Sequence, residues 1–282
     1  MLYKKVIITG ANGMLGHELN ESLKVHYNVF PFGKKELDIT DRKKIKKVFS
    51  VVNPDLIINC AAFTNVDGCE NNPESAYEVN AEGAFLLAEE SRIYNAAIAH
   101  ISTDYVFDGC TPRPYTEEDI CNPLNQYGKS KYKGEQLIAS INDRHYIIRT
   151  AWLYGRWGNH FITKILDQAA VNREIDVVQD QIGNPTSVSE LVKMICVIIA
   201  DKHYGIFHAA CSGEVSRYGL AKKVIEISQC SIAVRPIQSD YYNNVAKRPK
   251  YTALLKKRLS NIYGFQPVMW EEALYNFLRK NS

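Results

Sequence analysis

The sequence lacks both a metal-ligand spacing and a disulfide framework. Its seven cysteines, at positions 60, 69, 110, 121, 196, 211 and 230, form no C-x-x-C pair, and its seven histidines form no H-E-x-x-H cluster. An odd, dispersed set of cysteines, several in apolar runs, is expected of reduced and mostly buried thiols. A structural or catalytic zinc is not expected, and no metal is assigned. Long apolar runs are missing as well. The longest apolar helix candidate, LVKMICVIIA at 191–200, contains Lys193 and is too short to span a bilayer. The opening MLYKKVIITG passes straight into a short apolar run with no leader region or cleavage site. No membrane partner is expected, and a cytoplasmic location is. Excess charge of one sign is also absent, with a net charge of only +3. The one dense basic run, DRKKIKKVF at 41–49, carries Ile45, Val48 and Phe49 at helical spacing, the pattern of a solvated helix face. No nucleic-acid partner is expected. No internal repeat or low-complexity linker is evident.

What remains is a globular composition. Over 282 residues, 46% are hydrophobic and 23% charged, enough for one large α/β domain or two unequal ones with a sizeable core. The runs at 4–10, 27–32, 55–62, 96–103 and 145–152 read as buried strands of a parallel sheet. Helical candidates near 14–25, 41–52, 73–94 and 125–141 lie between them, with Pro73 near one start. This alternation predicts an α/β fold with a doubly wound parallel sheet. The second half is less regular. It holds a helix at 187–201 opened by a capping box, Ser187-x-x-Glu190, and a short strand at 205–210. A helix near 216–229, a strand near 232–238 and a helix near 270–280 follow. The expected organisation is a dinucleotide-binding domain at 1–150 and a smaller substrate domain at 151–282. The helix and strand at 187–210 return to the first domain in this reading.

The first strand runs into TGANGMLGHEL, which spaces Gly10, Gly13 and Gly16 as G-x-x-G-x-x-G. A tight turn, a close backbone approach to a pyrophosphate and an exposed helix N-terminus all need such glycines. Between a first strand and a first helix, the pattern points to a dinucleotide. An acid after the second strand commonly takes the ribose hydroxyls. Here PFGKKELDIT sets Lys34 and Lys35 before Glu36 and Asp38. The lysines suit a 2′-phosphate, which favours NADPH with NADH tolerated; ordinary solvated charges are the other reading. Further on, NPLNQYGKSKYKGEQLIAS places Tyr127 four residues before Lys131, on one helix face. By itself this spacing is equally that of a solvated helix.

The segments TGANGMLG, LDITD, PDLIINCAAFTNVDGCE, AYEVNAEGA, HISTDYVFDG, PLNQYGKSKYKGE, IIRTAWLYG, DQIGNPT and KRPKYTALL follow one another in this chain. In that order they resemble the extended short-chain dehydrogenase/reductases and, within them, the dTDP-4-dehydrorhamnose reductases. The resemblance covers nearly the whole length. It implies a Rossmann fold and NADPH-dependent reduction of the C4 ketone of a nucleotide-linked 6-deoxyhexose. The implied product resembles dTDP-L-rhamnose, a donor for cell-surface polysaccharide. Tyr127 is then the proton donor, Lys131 its electrostatic helper and holder of the nicotinamide ribose, and Thr103 the third member. A lysine charge about 5 Å from the phenol, at an effective dielectric near 20, favours phenolate by roughly 3 kcal/mol, or about two pK units. Tyr127 is therefore expected to be acidified toward the useful range.

The motifs carry further implied roles. Asn12, Met14 and Leu15 join the glycines around the pyrophosphate. Asp38 and Ile39 lie toward the adenine, and Ala61, Ala62 and Thr64 line the cofactor. Asp104 would meet sugar hydroxyls, with a capping carboxylate as the other reading. Trp152 would pack on the sugar or nicotinamide, or serve as a core aromatic. Arg248 is a candidate for the nucleotide diphosphate. Asn80 resembles an asparagine that supports the active-site lysine through water, or is a polar break in a helix. His160 departs from the usual asparagine in GNHF, which bears on the sugar accepted.

Three alternatives are weighed. Related dehydratases carry an acid pair after the threonine, where this chain has Tyr105. Epimerases hold NAD tightly through turnover. A non-catalytic relative, the regulatory subunit of some methionine adenosyltransferases, makes no demand on Thr103, Tyr127 and Lys131 together. A monomer or homodimer is expected; Glu18 and Glu190 lie in segments where some relatives gather a metal between subunits, but no metal is assigned here.

Overall fold

The computed structural model describes residues 2–242 and 245–280. In chain order the first half runs β1 (Lys5–Thr9), α1 (Met14–Leu23), β2 (Asn28–Phe32), α2 (Arg42–Val52), β3 (Leu56–Asn59), α3 (Val66–Asn71), α4 (Pro73–Tyr77), α5 (Ala84–Ile93), β4 (Ala97–Thr103), α6 (Gln126–Ile141) and β5 (His145–Thr150). The second half runs β6 (Leu153–Tyr154), α7 (Phe161–Val171), β7 (Glu174–Val178), β8 (Ile182–Gly183), β9 (Thr186–Ser187), α8 (Val188–Ile198), β10 (Gly205–His208), β11 (Val215–Ser216), α9 (Arg217–Ile227), β12 (Ala233–Ile237), α10 (Lys257–Tyr263) and α11 (Trp270–Lys280).

Six strands form one parallel sheet in the order β10-β5-β4-β3-β1-β2. The central strands are buried on both faces, which is why they read as unbroken apolar runs rather than alternating ones. Successive residues nevertheless serve opposite layers. Val6, Ile8, Leu56 and Ile58 pack with Leu19, Leu191 and Ile195 from α1 and α8. Ile7, Ile57 and Ile98 pack with Phe49, Leu87 and Ile138 from α2, α5 and α6. Each such fully buried aliphatic side chain contributes on the order of 2 kcal/mol. The strand order turns between β1 and β3, so the crevice beyond their C-terminal ends is open to a ligand.

The chain from Ala151 onward divides its residues between two cores. A smaller lobe is built from the parallel pair β7–β12 with α7, α9 and α11 around Ile165, Leu220, Val224 and Leu274. Helix α8 and strand β10 lie in the main body, and so does α10, whose Leu259 joins the first core. The sequence reading named no element at 257–263. Among the described residues, no helix is long and apolar enough to cross a membrane, and no group of three or more His, Cys, Asp or Glu could hold a metal ion.

Two local expectations differ in the structure. The helix expected over 73–94 runs without interruption from Pro73 to Ile93, but it is wound as a π turn over Glu78–Gly83 between α4 and α5. Asn80 in that turn is held by the loop after β3, its Oδ1 accepting from Phe63 N at 2.8 Å and its Nδ2 donating to Phe63 O at 3.0 Å. The capping box at 187–190 is half formed. Ser187 Oγ accepts from Glu190 N at 3.3 Å, but the Glu190 carboxylate turns outward to Lys193 Nζ at 2.7 Å.

Candidate active site

A cleft of about 790 Å³ opens over the sheet between the two lobes. At one end, Gly10 leaves β1 with φ +62°, and a Cβ there would lie 2.7 Å from Ala61 N. Gly16 lets α1 close onto the same turn, since its Cβ would fall 2.5 Å from Gly10 O. Gly13 precedes α1 with no side-chain cap, and the first turn carries no acid. The free N–H groups there suit an anion. Gly10, Gly13, Met14, Leu15, Gly16, Ala62 and Thr64 line the cleft. Four other candidates stand apart from its wall. Ala61 packs its backbone on Gly10, and Asn12 is exposed beside Gly33. Ile39 is buried in the core against Gly83. Asp38 Oδ1 accepts from Thr40 N and Oγ1; burial, which raises its pKa, is outweighed by these bonds and by Lys34 and Lys44.

Helix α6 brings Tyr127 to the strand ends. Asn125 caps it, accepting from Gly128 N at 2.8 Å and donating to Lys247 O at 2.9 Å. Gly128 allows the approach, because a Cβ there would meet Tyr105 O at 2.1 Å. The Tyr127 phenol consequently pairs with the hydroxyl of Thr103 at the end of β4. Tyr127, Thr103 and Lys131 all line the cleft.

The expected acidification of Tyr127 is not what this geometry produces. Burial drives its pKa upward, the Thr103 hydrogen bond opposes the rise, and Asp104, Cys69 and Tyr105 add to it. Lys131 Nζ turns the other way, donating to Ile101 O at 2.6 Å and lying 3.1 Å from His100 Nε2. Burial lowers Lys131 to about 8, against the opposing influence of Glu135 and Cys60. Sequence reasoning missed His100. A histidine in the middle of the strand AIAHIST, directly after three apolar residues, was the available signal. Asn80 also stands off from Lys131, its Nδ2 donating to Ser130 Oγ at 3.0 Å.

Another part of the cleft holds Asp104, Trp152, Arg217 and Arg248. Asp104 is buried, with Oδ1 accepting from Thr103 Oγ1 at 3.0 Å and Oδ2 from Thr252 Oγ1 at 2.6 Å. Burial raises its carboxyl to about 6, although Thr252, Thr103 and Arg217 oppose the rise. Trp152 adopts φ +47°, a left-handed conformation unusual for a bulky residue and found mainly where function demands it. Arg217, the first residue of α9, is a second omission of the sequence reading. Its guanidinium carbon lies 3.5 Å from the Trp152 ring centre and it hydrogen-bonds Tyr105. Arg248 is already paired with Asp67 at 2.7 Å. His160 caps α7, accepting from Thr163 N through Nδ1 and donating from Nε2 to Gly155 O at 2.8 Å.

The family described as the RmlD substrate binding domain matches residues 4–282. The chain is 36% identical over 281 residues to dTDP-4-dehydrorhamnose reductase of Sinorhizobium fredii, covering 95% of each chain. It belongs to the dTDP-4-dehydrorhamnose reductase family. Spore coat polysaccharide biosynthesis protein SpsK of Bacillus subtilis is 39% identical over 279 residues, covering 99% of this chain and 98% of that one. The crystal structure of dTDP-4-dehydrorhamnose reductase from Bacillus anthracis in complex with NADP superposes with a TM-score of 0.96 at 40% identity, covering 98% of this chain and 99% of that one. Members of the dTDP-4-dehydrorhamnose reductase family thus share this chain's whole length and fold.

Proposed function

We propose that this protein reduces the C4 ketone of dTDP-4-dehydro-L-rhamnose to dTDP-L-rhamnose with NADPH, tolerating NADH, for cell-surface polysaccharide synthesis. The observation that carries the reading is one cleft holding the Tyr127–Thr103 pair, Lys131 and an uncapped helix N-terminus. The glycine turn fits a pyrophosphate, with Gly10, Gly13, Met14, Leu15 and Gly16 around it and Ala62 and Thr64 beside it. When bound, the reduced nicotinamide supplies a hydride to the ketone carbon.

The remaining chemistry belongs to the chain. Tyr127, kept protonated by burial, is in the form that reduction requires. Its proton passes to the carbonyl oxygen as negative charge develops there, and Thr103 turns its single hydroxyl proton from Asp104 to that oxygen as a second hydrogen bond. Tyr127 is left as phenolate and recovers a proton from water. Asp104 and Trp152 face the sugar. Arg217 has no carboxylate within ion-pair distance among the described residues, whereas Arg248 has Asp67. An unpaired cation in the cleft supports an anionic substrate, and we assign Arg217 with Arg248 to the nucleotide diphosphate. Free thiols throughout fit a cytoplasmic enzyme.

The test is to supply dTDP-4-dehydro-L-rhamnose and follow the loss of reduced-nicotinamide absorbance, with NMR of the product. Stoichiometric oxidation of NADPH and a C4 alcohol are expected. Conversion without net oxidation, with NAD retained through purification, would instead identify an epimerase.

A further inference from the structure

Hydrogen-bond bookkeeping beneath the cleft fixes the tautomer of a buried histidine. Asn59 Oδ1 accepts from Thr9 Oγ1 at 2.6 Å and from Ala61 N at 3.2 Å. A backbone N–H can only donate, so the amide cannot be turned around. Asn59 Nδ2 therefore faces His100 Nδ1, at 3.0 Å, and donates to it. His100 must leave Nδ1 bare and carry its proton on Nε2, since a neutral imidazole holds only one. That Nε2–H points at Lys131 Nζ, 3.1 Å away. An ammonium has no lone pair to receive it; a neutral amine has one. The other Lys131 contact, donation to Ile101 O at 2.6 Å, is available to either form.

We propose that His100 is a positioning residue which holds Lys131 as a neutral amine before the dinucleotide binds, and that Lys131 gains a proton on binding. This deepens the reading of the cleft as a dinucleotide site and rests on it. The groups facing Lys131 agree. Glu135, one turn along α6, is committed to Arg149 at 2.7 Å and to Ser102 Oγ. Burial pushes the Cys60 thiol up to about 12 and keeps it neutral. Tyr127 is likewise kept neutral. His100 is itself fully buried, and burial holds it well below the usual imidazole range. Burial also draws Lys131 down, as described above. A bound pyrophosphate and ribose bring negative charge and hydroxyl acceptors into the cleft that Lys131 lines. Lys131 then leaves His100 for these acceptors and takes one proton from water onto its lone pair, so that the cation appears only in the complex.

The experiment is calorimetric titration of the full chain with NADPH at about pH 9, above carboxyl and imidazole titration. Two buffers of different ionisation enthalpy report the protons exchanged. The expected result is uptake of roughly 0.5 to 1 proton per bound NADPH. No uptake between about pH 7.5 and 9.5 overturns the proposal. Uptake should vanish in Lys131→Met; persistence there overturns the assignment to Lys131. In His100→Gln, whose amide oxygen can accept from an ammonium, uptake should fall below about a third of wild type. Unchanged uptake in that variant removes His100 from the account. NMR of the unmutated chain with nitrogen-labelled histidine needs no variant: an Nε2–H tautomer is expected, and Nδ1–H or imidazolium overturns the proposal. Only the binary complex is used, so failure here leaves ketone reduction standing, and failure of ketone reduction leaves this measurement intact.

Discussion

Arg217 lies over Trp152, its guanidinium carbon 3.5 Å from the ring centre. The ring holds the guanidinium in place, and the donors beyond the one given to Tyr105 can meet a ligand. Arg217→Met should raise KM for the nucleotide sugar by about 10- to 100-fold, the worth of charge-assisted hydrogen bonds of about 1.5–3 kcal/mol, with kcat changed less than about threefold. Steady-state kinetics check it. A variant that lost kcat and kept KM would move Arg217 from binding to chemistry.

Tyr127→Phe removes the hydroxyl and keeps the ring that packs edge-on to Tyr105. Turnover should fall by about 10²- to 10⁴-fold, while NADPH affinity stays within about threefold. Stopped-flow turnover and equilibrium binding separate the two. Wild-type turnover in this variant would require a different proton donor.

Asp104 should make stability depend on pH in a direction opposite to most carboxylates. Its folded-state value is raised from 3.8 to about 6, so the native state holds the proton more tightly than the unfolded chain. The stabilisation is complete below 3.8 and lost as pH rises through 6. At about 1.4 kcal/mol per pK unit, the loss is at most about 3 kcal/mol. Asp104→Asn should flatten urea-unfolding free energy across this window and gain stability at neutral pH. It should lose activity in exchange. No difference in slope between variant and wild type would show that the carboxylate ionises freely in the fold.

Gly134 controls how closely α6 approaches the π turn. A Cβ there would meet Asn80 O at 2.2 Å, a distance that backbone atoms must move to relieve. Gly134→Ala should destabilise the protein by about 1–3 kcal/mol, the range for overpacking. It should also lower kcat, because α6 carries Tyr127 and Lys131. Denaturation combined with kinetics tests both effects. A destabilised variant with normal kcat would show that the site absorbs the shift.

Glu135 and Arg149 form a buried ion pair beneath the sheet ends, each 2% exposed. Glu135→Gln leaves the guanidinium without its counter-charge, and a loss of about 3–5 kcal/mol is expected in chemical denaturation. A loss below about 1 kcal/mol would mean that the hydrogen bonds of the substituted amide to Arg149 and Ser102 replace the ion pair.

Much of this architecture is legible locally. Runs such as KVIIT and LIIN are apolar at every position because both faces of the sheet are covered, so strand type and parallel pairing follow from composition alone. Gly10 betrays its turn because few other residues take a positive φ there. The four-residue spacing of Tyr127 and Lys131 puts both on one helix face. The π turn at Glu78–Gly83 was not legible. It depends on Asn80 reaching Phe63 and Ser130, contacts that local helical periodicity cannot register.

The sequence by itself determined the parallel sheet, the glycine turn and the shared face of Tyr127 and Lys131, since these follow from residue sterics and helical pitch. Tertiary structure decided which atom each side chain meets. It set Thr103 against the phenol, turned the lysine toward His100 rather than Tyr127, and brought Arg217 across from α9 to Trp152. Helical phase specifies a direction, while the partner found there depends on strand order and burial, and burial raised the phenol's pKa where spacing alone implied a fall.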